Sequence, residues 1–428
     1  MSWDFSTEPE FEAKLEWMRS FVRERVWPLE VLDVEDDVFR RILRDLQAEV
    51  KAQGLWATHL PPELGGQGFG QVKLALMHEI EGTSFWGPFV FGNQAPDSGN
   101  AEILALAGTP EQKERWLYPL LAGDMMSAFS MTEPENAGSD PTRLTTTAVL
   151  DGGEWVINGH KWYSSNAMGA DFLIAMVVTQ PDAEPHRRAS MIIVPRDAPG
   201  LDVVRNVPTM AGEERFQMGH PEVYYRNCRV PATHLLGKRG QGFELAQMRL
   251  GPGRIHHCMR WLGQARRAFD DLCERALQRE VGGEPLAAKQ TVQNWIADSA
   301  AEMAAARLLT LYAAWKIDQA GPRGARVEIS MIKYHGAQVL FNVIDRAIQA
   351  HGGLGYSGDM PLEAMYRVAR CARIVDGADE VHRATVARLL LRDYTAPDGI
   401  WPRDHVPTRR AAAAKQFAEY LETATVNA

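Results

Sequence analysis

Two hydrophobic rhythms alternate along the chain, and their order predicts its organisation. Phe11, Leu15, Met18 and Val22 recur every three or four residues, as do Phe39, Leu43, Leu46 and Val50, a spacing that collects them on one helix face. Leu60 to Gly68 reads as a loop from its Pro and Gly content, and the helical spacing resumes at Val72, Leu76 and Ile80. Thr109-Pro110-Glu111-Gln112 has the form of a capping box with Pro in the first turn, opening a helix that stops by Gly123. The period then shortens. Thr145 to Leu150 alternates, Asp151-Gly152-Gly153 turns, and Trp155-Val156-Ile157 runs into Asn158-Gly159, a dipeptide that predicts a hairpin. Phe172 to Val178, Ala189 to Val194, Leu201 to Val207 and Glu222 to Val230 are further strands. After Gly240-Gln241-Gly242 the helical period returns. Ile255 to Ala276 predicts one long helix, Val292 to Met303 begins a second, Ile332 to Ala350 is a third, and Val381 to Leu390 a fourth. Short connections between them argue for a bundle.

The predicted fold is therefore α+β. It has an N-terminal helical domain over residues 1–124, a β-domain of the sandwich or barrel class over 125–238, a four-helix domain over 239–395, and a C-terminal arm over 396–428, rich in Pro and charge. Composition narrows the function. A net charge of −9 speaks against non-specific nucleic-acid binding. Cys228, Cys258, Cys273 and Cys371 are widely spaced with no Cys-x-x-Cys, as for thiols in a reducing compartment. The start, MSWDFSTEPEFEAKLEW, is acidic and amphipathic, unlike a secretory or transit peptide, and no apolar run approaches the roughly 18 residues of a membrane span. A cytoplasmic protein is expected.

Candidate chemistry concentrates between Arg346 and His382. A helix runs into the glycine turn His351-Gly352-Gly353-Leu354-Gly355, a short helix follows from Leu362 to Arg373, and the loop Ile374-Val375-Asp376-Gly377-Ala378-Asp379-Glu380 precedes another. Read alone, Asp376 is most simply a helix N-cap and the glycines a turn.

Together with the rest of the chain these segments resemble a known family. Phe129-Ser130-Met131-Thr132-Glu133-Pro134-Glu135-Asn136-Ala137-Gly138-Ser139-Asp140 is similar to the flavin motif of acyl-CoA dehydrogenases, and Asn158 to Asn166 to the family's next segment. Gly251-Pro252-Gly253-Arg254-Ile255, Gln349 to Gly355 and Asp376 to His382 resemble its C-terminal signatures. The resemblance covers nearly the whole chain in the family's order and is closest to the branch of the human long-chain members ten and eleven.

The resemblance implies FAD, held by Phe129, Met131, Thr132, Gly138 and Ser139 at the ring edge and by Tyr163 and Ser165 beside it, Trp162 preceding the residue in the stacking position. Arg279 matches an Arg that reaches the cofactor pyrophosphate of a neighbouring subunit, although Glu280-Val281-Gly282-Gly283 stands where the family has Phe-Gly. Gln349, Gly352 and Gly353 match the pyrophosphate turn. Ala378 and Glu380 complete the cofactor set, standing where many members carry Thr and Gln. Ser139, Gly251, Arg254 and Gly377 match substrate-binding positions.

Asp376 matches the catalytic base, Glu in most of the family. It would remove the α-proton of an acyl-CoA thioester as hydride leaves the β-carbon for flavin N5, with burial raising its pKa. Asp is one methylene shorter than Glu, and a displacement of about 1 Å can cost roughly a hundredfold in rate. The alternative base position of some branches, one residue before Arg254, is Gly253 and cannot serve. His256 and His257, adjacent on a helix, point different ways and suggest no metal site. The implied partners are an acyl-CoA substrate, an electron-transferring flavoprotein and further copies of the chain, as a homodimer or homotetramer. Acyl-CoA oxidase, nitroalkane oxidase and a non-catalytic subunit are the alternatives.

Overall fold

A computed structural model describes residues 7–64, 66–210 and 219–421, in two compact units, Met1–Arg383 and Ala384–Ala428. Gly65 of the expected loop, the first six residues of the acidic start and the last seven of the arm lie outside the described residues. The larger unit begins with helices whose apolar stripes face inward. Phe11, Leu15 and Met18 are buried on α1 (Pro9–Phe21), and Phe39, Leu46 and Val50 on α2 (Asp36–Ala52). The next helix, α3 (Gln71–Glu81), is covered on several faces and buries His78 and Glu81 with its apolar residues. Short helices α4 (Gly87–Val90), α5 (Asp97–Ala107), α6 (Pro110–Gln112) and α7 (Tyr118–Ala122) follow. The capping box is present: Gln112 N–H donates to Thr109 Oγ1 at 3.2 Å, and Thr109 N–H to Gln112 Oε1 at 3.1 Å.

The sheet comprises β1 (Ser127–Ser130), β2 (Thr147–Asp151), β3 (Glu154–Lys161), β4 (Phe172–Val178), β5 (Ala189–Pro195), β6 (Leu201–Asn206), β7 (Pro221–Pro231) and β8 (Leu235–Leu236). Their order is β6-β7-β3-β2-β4-β5-β8, with β1 parallel to β4. All of β4 is buried. Its alternate residues feed two cores: Phe172, Ile174 and Met176 pack with Trp116, Leu120 and Leu245 from the helices, while Leu173, Ala175 and Val177 pack with Trp155, Ile157 and Tyr225 inside the β-domain. The expected hairpin at Asn158-Gly159 is not there. The turn is Gly152-Gly153, at φ +58° and +87°, and Asn158-Gly159 lies inside β3 at a bulge against β7. A Cβ on Gly159 would come 2.3 Å from Thr146 Oγ1, so the bulge needs glycine just as a tight turn would.

A buried ion pair ties β3 to the segment after β1. Lys161 Nζ donates to Glu133 Oε1 at 2.9 Å and to Met131 O at 2.8 Å, with both charged side chains fully enclosed. Glu133 also accepts from the N–H groups of Thr145 and Thr146. Burial opposes its charge, but Lys161 and those donors prevail and hold its carboxyl at about 2; burial carries Lys161 down to about 8 against the pull of Glu133.

The C-terminal helices are α8 (Gly242–Gln278), α9 (Gln290–Gly324) and α10 (Arg326–His351), with a two-stranded ribbon, β9 (Glu280–Val281) and β10 (Glu284–Pro285), after α8. A further turn, α11 (Gly353–Tyr356), leads to α12 (Leu362–Ala372) and α13 (Asp379–Leu390). Three helices are long and the fourth is not: α13 has only 12 residues. The Gly251-Pro252-Gly253 run does not begin a helix but sits inside α8. In α9 the axis breaks at Gly321, φ +69°, just before Pro322. In the smaller unit, α14 (Val406–Gln416) is the main element after the end of α13. Among the described residues, no helix is long and apolar enough to cross a membrane.

Candidate active site

The loop between α12 and α13 is not shaped as a helix cap. Asp376 has φ +54° and stands three residues before α13, so its carboxylate is free of the helix N–H groups that an N-cap would serve. An L-residue in the left-handed region is held there by its surroundings. Arg254 donates through Nε and Nη2 to the Asp376 carbonyl at 3.2 and 3.1 Å, and His382 Nε2 lies 3.1 Å from the same oxygen. Burial draws the His382 pKa down to about 4, so its ring is neutral and donates Nε2–H. Gly377, at φ +101°, must be glycine: a Cβ there would lie 2.7 Å from His382 Nε2. Asp379, wholly buried, anchors the far side of the loop through Lys333 on α10 at 3.3 Å and Arg373 at 2.9 Å.

The Asp376 side chain faces α8. Its Oδ2 is 3.3 Å from His257 Nε2, and the two side chains keep 24% and 29% exposure for His257's partner and His257 respectively. Arg249, Gly253 and His257 recur every four residues and share one face of that helix. A Cβ on Gly253 would meet nothing within 4 Å, so glycine leaves open space in that face between two basic groups. Burial pushes the Asp376 carboxyl up, as expected from the sequence. The net shift is nevertheless downward, because His257, Arg254, Arg249 and Lys333 together outweigh burial. The residue is a carboxylate surrounded by cations. It is not a carboxylic acid in an apolar pocket.

Arg249 links this face to the β-domain. Its guanidinium stacks 4.3 Å above the Phe129 ring, and its Nε is buried with no hydrogen-bond partner among the described residues. Beyond Phe129, the Lys161 ammonium holds Met131 O, and Trp162 N–H donates to Thr132 O at 3.0 Å. The two segments of the flavin motif are thus bonded to each other. Met131, Thr132 and Gly138 line one depression with Ala137, and Ser139 is exposed at its edge. The Trp162 indole Nε1–H is buried without a partner among the described residues, a costly state unless a ligand accepts from it. Tyr163 is 43% exposed at φ +49°, and Ser165 Oγ lies 2.8 Å from His220 Nδ1. A polar ring system bearing acceptors fits this edge.

The remaining cofactor candidates are far from that edge. Gly336 on α10 abuts Cys258 on α8, and His351 acts on Asp271, so the two helices run in the same direction. Arg279 and Gln349, both exposed, therefore lie at the same end of the layer. Gly352, at φ +63°, and Gly353 have open space where a Cβ would stand. From Arg249 to the end of α8 is about thirty residues, or roughly 40 Å at ~1.5 Å per residue. Ala378 and the exposed Glu380 stay with the Asp376 loop, as does Arg254, while Gly251 is buried one turn earlier on α8 beside Pro322. Sequence reasoning missed Arg249, the buried Nε1–H of Trp162 and the contact of His257 with Asp376. An i, i+4, i+8 stripe of Arg, Gly and His was the signal for the first and last.

Comparisons with known proteins give the same arrangement a lineage. The acyl-CoA dehydrogenase N-terminal, middle and C-terminal domain families match residues 8–124, 128–228 and 240–391. The mouse protein named "Acyl-CoA dehydrogenase family member 11" is 44% identical over 355 residues, which are 82% of this chain but 45% of the relative. The chain thus spans about half the length of that protein. "Probable acyl-CoA dehydrogenase FadE2" of Mycobacterium tuberculosis is 47% identical over 81% of this chain and 85% of its own. A solved structure from Mycobacterium abscessus, provisionally named an acyl-CoA dehydrogenase, superposes with a TM-score of 0.86 at 41% identity, covering 91% of this chain and all of that one. The chain belongs to the acyl-CoA dehydrogenase family, whose members are FAD-dependent oxidoreductases.

Proposed function

We propose that the protein carries out α,β-dehydrogenation of an acyl-CoA thioester, with Asp376 as the base. The observation that carries this reading is the Asp376 carboxylate, presented at positive φ to the α8 face in which Gly253 leaves room. Bound FAD would accept the hydride from the β-carbon at N5. Phe129, Met131, Thr132, Gly138, Ser139 and Trp162 would hold its ring, the last through the Nε1–H that has no partner among the described residues. The α-proton passes to an Asp376 oxygen while Arg254 and His382 grip the carbonyl of the same residue and keep the base in place. Arg249, Arg254 and Lys333 stabilise negative charge at the loop, and this favours the enolate-like substrate as well as the carboxylate.

Arg279, Gln349, Gly352 and Gly353 serve the cofactor of a second copy. Roughly 40 Å of helix separates them from the ring edge of their own chain, which supports a homodimer or homotetramer. Electrons leave to an electron-transferring flavoprotein.

The test is an anaerobic titration of the purified holoprotein with a panel of acyl-CoAs, followed by flavin absorbance. One chain class bleaches the flavin, and Asp376→Asn abolishes bleaching with FAD retained. A yellow wild-type protein that no acyl-CoA bleaches defeats the proposal.

A further inference from the structure

The contact between His257 Nε2 and Asp376 Oδ2 has no task in the proton transfer proposed above. Its geometry supplies one. The His257 pKa is lowered first by burial, then by Arg260, Arg249 and Arg254, against the opposing pull of Asp376. The Nε2 edge of the ring nevertheless faces Oδ2 of the carboxylate at 3.3 Å, within ion-pair distance. None of the described residues is bonded to Oδ1. The contact therefore sets one carboxylate oxygen against the ring and leaves the other presented.

We propose that His257 is the positioning residue of the base: it fixes the Asp376 carboxylate rotamer so that Oδ1 meets the substrate α-proton. The inference rests on the reading of Asp376 as base. Two features of the loop make such a device useful. Aspartate is shorter than the glutamate that most family members carry, and its backbone is already held at positive φ by Arg254 and His382, so the side-chain torsion is the remaining freedom. Other groups packed around the pair are committed elsewhere. On α8, Arg254 is spent on the Asp376 carbonyl, and Arg260 donates to Asn93 O at 2.5 Å and to His78 on α3. From α10, Lys333 is bonded to Asp379; on α8, Arg249 stacks on Phe129. His256 is turned toward His78, ring to ring at 4.2 Å. Among the described residues, only His257 comes within ion-pair distance of an Asp376 carboxylate oxygen.

The test uses the holoprotein with two probes. A 3-oxoacyl-CoA can lose its α-proton to the base, the C–H electron pair remaining on the substrate as an enolate, but has no β-hydride to give; enolate formation beside oxidised flavin is read as a long-wavelength band. His257→Ala moves the pH midpoint of that band upward by about one unit or more, because the carboxylate loses the neighbour that most favours its charged form. With the acyl-CoA that bleaches the wild type, the same variant slows flavin reduction about tenfold to a hundredfold. His257→Gln, whose amide can donate from a similar position, recovers most of both changes. FAD content and melting temperature stay at wild-type values. A His257→Ala protein with unchanged midpoint and unchanged rate overturns the inference, while Asp376→Asn still abolishing the band leaves the base reading intact. An Asp376→Asn protein that keeps the band overturns the base reading itself.

Discussion

Replacing Lys161 with Met should be the most damaging single change to the β-domain, and the size of the effect can be worked from the contacts. The substitution keeps the apolar stem and deletes the ammonium that donates to Glu133 Oε1 and Met131 O. Glu133 is then left enclosed with only neutral donors: Thr145, Thr146 and Asn136. Breaking a buried pair on one side costs about 3–5 kcal/mol. If the Met1–Arg383 unit melts as one, with an unfolding entropy of ~2.1 cal/mol/K per residue, that cost lowers Tm by about 4–6 °C. The loss should also depend on pH. In the wild type, Glu133 is held at about 2, below its ordinary 4.5, so its charge adds stability above about pH 4.5 that is lost as pH falls toward 2. Without Lys161, burial raises the same carboxyl, and protonation relieves it as pH falls. The difference between variant and wild type is thus greatest near neutrality and narrows toward pH 5. Calorimetry across pH 5 to 8 reads it, and Lys161→Met/Glu133→Gln, which removes both charges and keeps an acceptor, should regain part of the loss. A variant that melts within 1 °C of wild type at pH 7 would refute the reasoning.

Other changes separate cofactor contacts from structural ones. Trp162→Phe deletes a buried donor that has no partner among the described residues, so the melting temperature of the apoprotein should hold or rise. FAD affinity should fall about threefold to tenfold, the worth of one hydrogen bond; fluorescence titration of apoprotein with FAD measures it. Gly377→Ala forces a Cβ toward His382 Nε2 at a backbone angle that costs about 1–3 kcal/mol. Stopped-flow bleaching should slow at least tenfold with FAD content preserved, and a wild-type rate would refute the strain.

The parts of the fold that were legible in the sequence are those whose burial is local in pattern. Phe172 to Val178 announces a strand because both faces are covered, and Thr109 announces a helix start because its partner is three residues away. Asn158-Gly159 misleads because a turn and a bulge both need a glycine, and only the neighbouring Thr146 decides between them. Asp376 is ambiguous in sequence because the offset from α13 and the sign of φ are set by Arg254 and His382, not by its neighbours in the chain. His257 shows in sequence only as the end of an Arg-Gly-His stripe on α8, and nothing local names its partner, which lies more than a hundred residues further on. The resemblance suggests a base and a flavin segment; the contacts around those residues are long-range and become visible only in three dimensions.

The distance along α8 has a genetic consequence. If each site takes its pyrophosphate contacts from a neighbour, a chain lacking Arg279 and a chain lacking Asp376 are defective in different halves of different sites. Co-expressed, the two inactive proteins would assemble mixed oligomers in which the intact Asp376 of one chain meets the intact Arg279 of the other. Activity would return without recombination, and complementation between alleles would report the architecture of the assembly from colonies alone.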